Sequence, residues 1–258
     1  LRLYFVSTEW LIEHYILPLF PEITMCKDQL GFTQQLLGAS ERDPEQESVS
    51  HHMISIDFEK WNNFQRDEST RPVFEVIDRI FGFERVVSRT HELFKSCTVL
   101  YGRALHKIRP DLTDQLPYCW NNHLGGFEGL RQKGWSVVGA LLIRYVSLLT
   151  RVSTNVLLQG DNQVIVIRYK MARGMSNTEY LATKKRHCQI THNFLDRLSE
   201  HCNSIGLRTK PEETWMSSHL LYYGKTAIID GAVQSLFLKR ICRALFITNE
   251  VAPSLSNS

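Results

Sequence analysis

The sequence predicts an α+β protein in which helices pack on one face of a small antiparallel sheet. Three observations carry that prediction. Residues His52 to Phe58 alternate with the two-residue period of a strand. Residues 152–169 read as strand, tight turn, strand. The long stretches between carry apolar residues at the three- and four-residue spacing of helices. Strands and helices alternate at irregular spacing without an internal repeat, which favours a layered α+β domain.

Composition sets the bounds. A chain of 258 residues, 43% of them hydrophobic, can bury a core. The net charge of +3 permits a polyanionic partner without requiring one. Six cysteines scattered without a CxxC pair point to a reducing, intracellular compartment rather than a disulfide framework. The most apolar stretch, Trp135 to Leu149, is cut by Arg144 and falls short of the roughly 20 residues a membrane helix needs, so no membrane insertion is expected. The chain opens on Leu1 in an apolar pattern and reads as a piece of a longer one.

Taken in order, residues 5–20 have a helical pattern stopped by Pro18 and Pro21. Residues 38–50 are polar and charged and read as an exposed loop. In the strand that follows, Met53, Ser55 and Asp57 share one side while Ile54, Ile56 and Phe58 share the other, the period of a half-buried strand with Asp57 at its exposed end. Val73 to Ile108 is mostly helical, and an apolar helix from Trp135 to Thr150 follows a glycine-rich loop. TNVLLQ, Gly160-Asp161-Asn162 and QVIVIRY form a hairpin with an acidic tip. A helix over Asn177 to Cys202, a short strand after Gly206, a hairpin-like stretch around Ser217 to Ile229, a helix near Val233 to Phe246 and a disordered tail complete the reading.

The chemistry rests on two aspartates. Nucleotidyl transfer uses two divalent metals about 4 Å apart, held by carboxylates on neighbouring rigid strands. Pairing the strand that ends at Asp57 with the hairpin tipped by Asp161 brings both carboxylates into one patch. A Gly-Asp-Asn tripeptide alone is most often only a turn.

Wording then adds to spacing. IDFEKWNN (Ile56 to Asn63), GGFEGLRQKGW (Gly125 to Trp135) and QGDNQ (Gln159 to Gln163) occur in that order. They resemble motifs A, B and C of the RNA-dependent RNA polymerase core of the large (L) proteins of non-segmented negative-strand RNA viruses, the Mononegavirales, and most closely those of rhabdoviruses. The resemblance extends through FVSTEWLIEHYILPLFPEITM (Phe5 to Met25) and KPEETWMSSHLLYYGK (Lys210 to Lys225), so it covers most of the chain.

This resemblance implies a right-hand polymerase palm with part of the fingers. Residues 1–50 would be a fingers and palm lead-in, and residues 51–230 the palm, with a helical fingers insertion at about 66–118. Residues 231–258 would begin the thumb or a connecting helix. Asp57 and Asp161 would hold two Mg2+ (or Mn2+) ions, and Lys210 would resemble the motif D lysine that protonates departing pyrophosphate. Asn62 would sense the ribose 2′-hydroxyl. Gly125, Gly126, Glu128 and Gly129 would form a loop against template or nucleotide; Arg131 and Gln132 would follow as RNA contacts, with at most one of Arg131 and Lys133 facing RNA. Gly160, Asn162 and Gln163 would flank the motif C aspartate. Ser217-Ser218 and Tyr222 to Lys225 would support the primer end.

Implied partners are template and nascent RNA, NTPs, a viral phosphoprotein and a nucleoprotein-coated genome, in the host cytoplasm or nucleus and in the virion. A basic fingers motif ahead of Asp57 and the downstream thumb, capping and methyltransferase modules are not found, so the fragment is expected to be incomplete as an enzyme. The competing reading is a catalytically inactive remnant or endogenous viral copy that at most binds RNA; intact Asp57, Asp161 and motif B glycines weigh against long decay. The cluster His187, Cys188, His192, His201 and Cys202 does not match a zinc spacing, the basic run Lys184 to Arg186 reads as a solvated face, and the five tryptophans read as packing.

Overall fold

The structure, a computed structural model, describes residues 1–40, 49–100 and 119–234. Helix α1 (Arg2–Leu11) runs into a π-helical turn (Ile12–Ile16) and a 3-10 turn (Leu17–Leu19), and the helical pattern ends between Pro18 and Pro21, as expected. Next come α2 (Gln29–Ser40), β1 (Val49–Ile56), α3 (Trp61–Phe64), α4 (Asp67–Phe81), α5 (Thr90–Lys95) and the short pair β2 (Val99–Leu100) and β3 (Cys119–Trp120). Then follow α6 (Gln132–Thr150), the hairpin β4 (Thr154–Gln159) and β5 (Asn162–Lys170), α7 (Asn177–Ser204), and β6 (Trp215–Ser217), β7 (Leu220–Tyr223), β8 (Thr226–Ile229) and β9 (Ala232–Val233).

Local chemistry explains the main boundaries. Helix α4 stops at Gly82, whose φ of 69° is the left-handed conformation that closes a helix. Helix α7 starts at a capping box: the Ser176 hydroxyl accepts from the Glu179 amide and the Glu179 carboxylate accepts from the Ser176 amide. Between β4 and β5 the chain reverses at Gly160, with φ of 62°.

The main sheet has the order β4-β5-β1-β6, with every neighbouring pair antiparallel. On one face Ile54, Ile56, Val156, Leu158, Ile165 and Ile167 pack with Val137, Val138 and Ile143 of α6 and Phe194 and Leu198 of α7. On the other, Met53, Leu157, Val164 and Val166 meet Leu36 and Ala39 of α2 and Leu221, Tyr223 and Ile228 of β7 and β8. The sheet is therefore covered on both faces, where the sequence led us to expect helices on one only. For the same reason β1 is buried on both sides rather than half-buried, and its polar members find partners: the buried His52 bonds through Nδ1 to Thr191 Oγ1 at 2.6 Å.

Several segments differ from their expected form. Gly38 to Ser40 close α2 and Val49 and Ser50 open β1, leaving 41–48 of the expected loop outside the described residues. The stretch from Val73 breaks into α4, α5 and β2, and its remainder falls within 101–118, outside the described residues. Val233 stands in β9 and Gln234 follows it without helical structure, while the expected last helix from 235 onward and the tail lie outside the described residues. Trp61 and Trp135 are buried as expected, but Trp10 is 49% exposed. No described helix is long and apolar enough to cross a membrane.

An ion pair fastens α1 to the start of α6. Arg131 is fully buried; its guanidinium donates to Glu9 Oε1 at 3.2 Å and lies over the rings of Tyr4, Phe5 and Phe74. The other Glu9 oxygen accepts the Lys133 amide in the first turn of α6, and the Lys133 ammonium pairs with Glu13. Burial raises the Glu9 carboxyl above its ordinary value, outweighing the opposing pull of Arg131.

This packing can be tested in two ways. Glu9→Ala strands a buried guanidinium and is expected to cost about 3–5 kcal/mol in urea unfolding, whereas Glu9→Ala combined with Arg131→Met recovers most of that loss. A neutral single variant would show that the pair does not hold α1. The second test concerns acid. Burial, reinforced by His187, His192 and Lys184, lowers His52 from 6.5 to about 4, and burial likewise lowers His91 to about 4. An unfolded chain takes up these protons first, so their contribution to stability is complete above pH 6.5 and is lost as pH falls toward about 4. Unfolding free energies measured across that window are expected to decline with acid, with a flatter slope in His52→Gln.

Candidate functional site

The register of β1 against β5 builds the site. Ile56, the last residue of β1, pairs with Gln163, and the two strands run antiparallel. Asp57 therefore leaves β1 at the same end of the sheet at which Asp161 turns between β4 and β5. The two carboxyls sense each other: burial raises Asp161 above its ordinary value, and the charges of Asp57 and Glu128 push it further the same way.

Asp57 has cationic company. Its Oδ2 accepts from Lys210 Nζ at 2.9 Å, its carbonyl accepts the Lys210 amide at 2.9 Å, and Lys210 also reaches Glu213 at 3.2 Å. Burial alone would raise the Asp57 carboxyl; hydrogen bonds with Glu213, Lys210 and the Phe58 amide prevail and hold it below its ordinary value. Asp57, and then Glu213, raise the Lys210 ammonium in turn. Lys210 is thus brought to Asp57 across the chain rather than left on an unrelated surface. Glu213 was not singled out from the sequence; its place three residues after Lys210 was the available signal.

A second polar layer sits under the Asp161 turn. The Gly160 amide donates to Ser136 Oγ at 3.1 Å, and Ser136 in turn donates to the Gln132 carbonyl at 2.8 Å, one turn back on α6. Gln163, 2% exposed, folds back so that its Nε2 donates to the Gly160 carbonyl at 3.0 Å. The Gln132 side chain lies where a Cβ on Gly160 would have to go, and its Oε1 is buried without a hydrogen-bond partner. Asn162 is exposed at the start of β5. Ser136 is a further residue that sequence reading passed over, four positions after Gln132 on the same helix face.

The glycine-rich loop closes the group. The Gly126 amide donates to the Asn62 carbonyl at 2.9 Å, which ties the loop to α3, while Asn62 Oδ1 is buried without a partner. A side chain on Gly125 would strike the Asn63 carbonyl, and one on Gly126 the Trp135 ring, so the close approach these glycines permit is to the chain itself. Gly129 has φ of 78°, and Glu128 beside it is exposed. Arg131, expected as an RNA contact, is instead buried on Glu9, and Lys133 is engaged by Glu13.

Among the described residues no three His, Cys, Asp or Glu side chains converge to hold a metal ion, and this includes His187, Cys188, His192, His201 and Cys202. Asp57 and Asp161 stand as a two-carboxylate donor set. Hard oxygen donors of this kind fit a hard divalent cation that takes its remaining ligands from water or substrate.

Residues 1–258 match the Mononegavirales RNA dependent RNA polymerase family. The chain is similar to the large structural protein of Rabies virus (strain ERA), at 38% identity over 268 residues. It is also similar to the RNA-directed RNA polymerase L of Isfahan virus, at 36% over 272 residues, and to that of Drosophila melanogaster sigma virus (isolate Drosophila/USA/AP30/2005), at 35% over 272. Each comparison covers 100% of this chain but only 12%, 13% and 12% of the respective relatives, so the chain spans a small part of their length. With a match that runs from its first residue to its last, the chain belongs to the Mononegavirales RNA dependent RNA polymerase family.

Proposed function

We propose that this chain is the palm-centred part, with some of the fingers, of an enzyme that carries out template-directed RNA synthesis, transferring a nucleotidyl group from an NTP to an RNA 3′-hydroxyl during viral genome replication and transcription. The observation that carries this reading is the convergence of Asp57 and Asp161 at one sheet end, beside the glycine-rich loop and Gln132. The division into lead-in (1–50), palm (51–230) and the start of a thumb or connecting helix (231–258) goes with the same reading, as do RNA, NTPs, a phosphoprotein and a nucleoprotein-coated genome as partners.

Asp57 and Asp161 would hold two Mg2+ (or Mn2+) ions, which when bound activate the attacking hydroxyl and offset the charge of the triphosphate. The remaining work falls to the chain's own groups. Lys210, a protonated donor held beside Asp57 at this end of the sheet, delivers its proton to the departing pyrophosphate. Gln132 and Asn62 each bring a buried acceptor without a partner, suited to a ribose hydroxyl or a base edge. Ser136 and Gln163 keep the Asp161 turn in place by holding the Gly160 amide and carbonyl.

Primer extension with the full-length protein tests the assignment. Asp161→Asn is expected to abolish nucleotide addition while RNA binding persists; substantial synthesis by that variant would sink the metal assignment. Lys210→Met is expected to lower kcat by about 10²–10⁴-fold with little change in KM for NTP. A fall in kcat of less than about threefold would remove Lys210 from proton delivery.

A further inference from the structure

Next to the strand end that carries Asp57 lies an open cavity of about 580 Å3, lined by Glu59, Phe64, Arg66, Asn203, Gly206 and Arg208 among others. It is built into the site's own scaffold. The Glu59 amide donates to the Arg208 carbonyl at 2.9 Å, Phe58 bridges to Thr209, and Arg66 donates to the carbonyl of Asn63, the same carbonyl against which Gly125 packs.

Its lining sets two cationic side chains on one aromatic ring. The half-buried Phe64 ring carries two guanidinium groups, with the Arg208 carbon 5.1 Å and the Arg66 carbon 5.7 Å from its centroid. An arginine drawn to an aromatic face keeps N–H donors that can still meet a phosphate. Arg66 commits one nitrogen to the Asn63 and Gln65 carbonyls. The Arg208 guanidinium, on an exposed residue, makes no hydrogen bond or ion pair among the described residues, and Glu59, the carboxylate in the lining, pairs with neither arginine. Two positive groups thus face one negative one across a cleft with an aromatic wall, the combination that suits a single-stranded nucleotide unit.

We propose that the Phe64, Arg66 and Arg208 cleft binds a backbone phosphate of single-stranded RNA and so guides a strand past the Asp57 and Asp161 end of the sheet. The inference rests on the function proposed above. A triphosphate offers the same chemistry, and the test separates the two sources.

The full-length protein with Arg208→Ala is titrated with labelled single-stranded RNA over a salt series, alongside Arg208→Lys and Asp161→Asn. Thermal unfolding is followed in parallel, and Arg208, being exposed, is a position where replacement leaves the core intact. Arg208→Ala is expected to weaken RNA binding and to make the plot of log Kd against log salt shallower by about 0.7, the share of one phosphate that is no longer neutralised, with KM for NTP unchanged at saturating RNA. Arg208→Lys is expected to regain the slope but not the full affinity, since it restores charge without the guanidinium fork. An unchanged slope, or a raised KM for NTP with RNA affinity intact, overturns the proposal. Asp161→Asn keeps the failures distinct: if it still synthesises RNA the catalytic reading falls, whereas the phosphate cleft falls only on the RNA titration.

Discussion

The antiparallel ladder between β1 and β5, from Val49 opposite Lys170 to Ile56 opposite Gln163, is the constraint on which everything else depends. A slip of one residue would exchange the two faces of β1, turning Ile54 and Ile56 away from α6 and α7 and Met53 away from α2 and β7. Because both faces are buried, such a slip loses packing on each side at once. That cost fixes where β1 ends, and with it the position of Asp57 relative to the Asp161 turn. The candidate site is thus located by the hydrophobic packing of the strands that lead to it.

Around that fixed point the polar groups form two layers with different tasks. The more exposed layer holds Asp57, Asp161, Lys210 and Glu213, with Lys210 bridging Asp57 and Glu213. The buried layer, made of Ser136, Gln163 and the backbone of Gly160 and Gln132, is neutral. Uncharged groups can be satisfied under the turn without the desolvation cost that a second buried charge would bring. The buried ion pair of Arg131 with Glu9 lies behind the glycine-rich loop and braces α6 rather than entering the layer below Asp161.

Much of this was legible in the sequence wherever the signal was local. The hairpin over 154–170 shows its turn residues between β-branched runs, and α7 announces its start with Ser176 and Glu179. Asp57 and Asp161 could be brought together because strand pairing needs only the alternation of each strand. What could not be read was long-range. Alternation in β1 cannot distinguish a strand with one wet face from one whose polar residues are satisfied inside, as His52 is by Thr191. Helix α2 was missed because the Gln29–Ser40 segment presents no clear apolar stripe, and the hairpin expected around Ser217 to Ile229 gave no sign that it would cover the second face of the sheet. Arg131 was expected to meet RNA because of its place in the stretch resembling motif B, and only the fold reveals Glu9 beside it on α1.

That pairing has a consequence for the order of assembly. Synthesis proceeds from the N-terminus, so Glu9 leaves the ribosome well before Arg131, and the aromatic rings of Tyr4 and Phe5 go with it. The entropic cost of closing so long a loop grows only slowly with its length, so a pairing this distant in sequence costs little more than a nearer one would. Helix α6 thus comes to rest against an element that precedes it in the chain, and the loop leading into α6 is pinned at its far end by the Glu9 carboxylate, one oxygen on Arg131 and the other on the Lys133 amide.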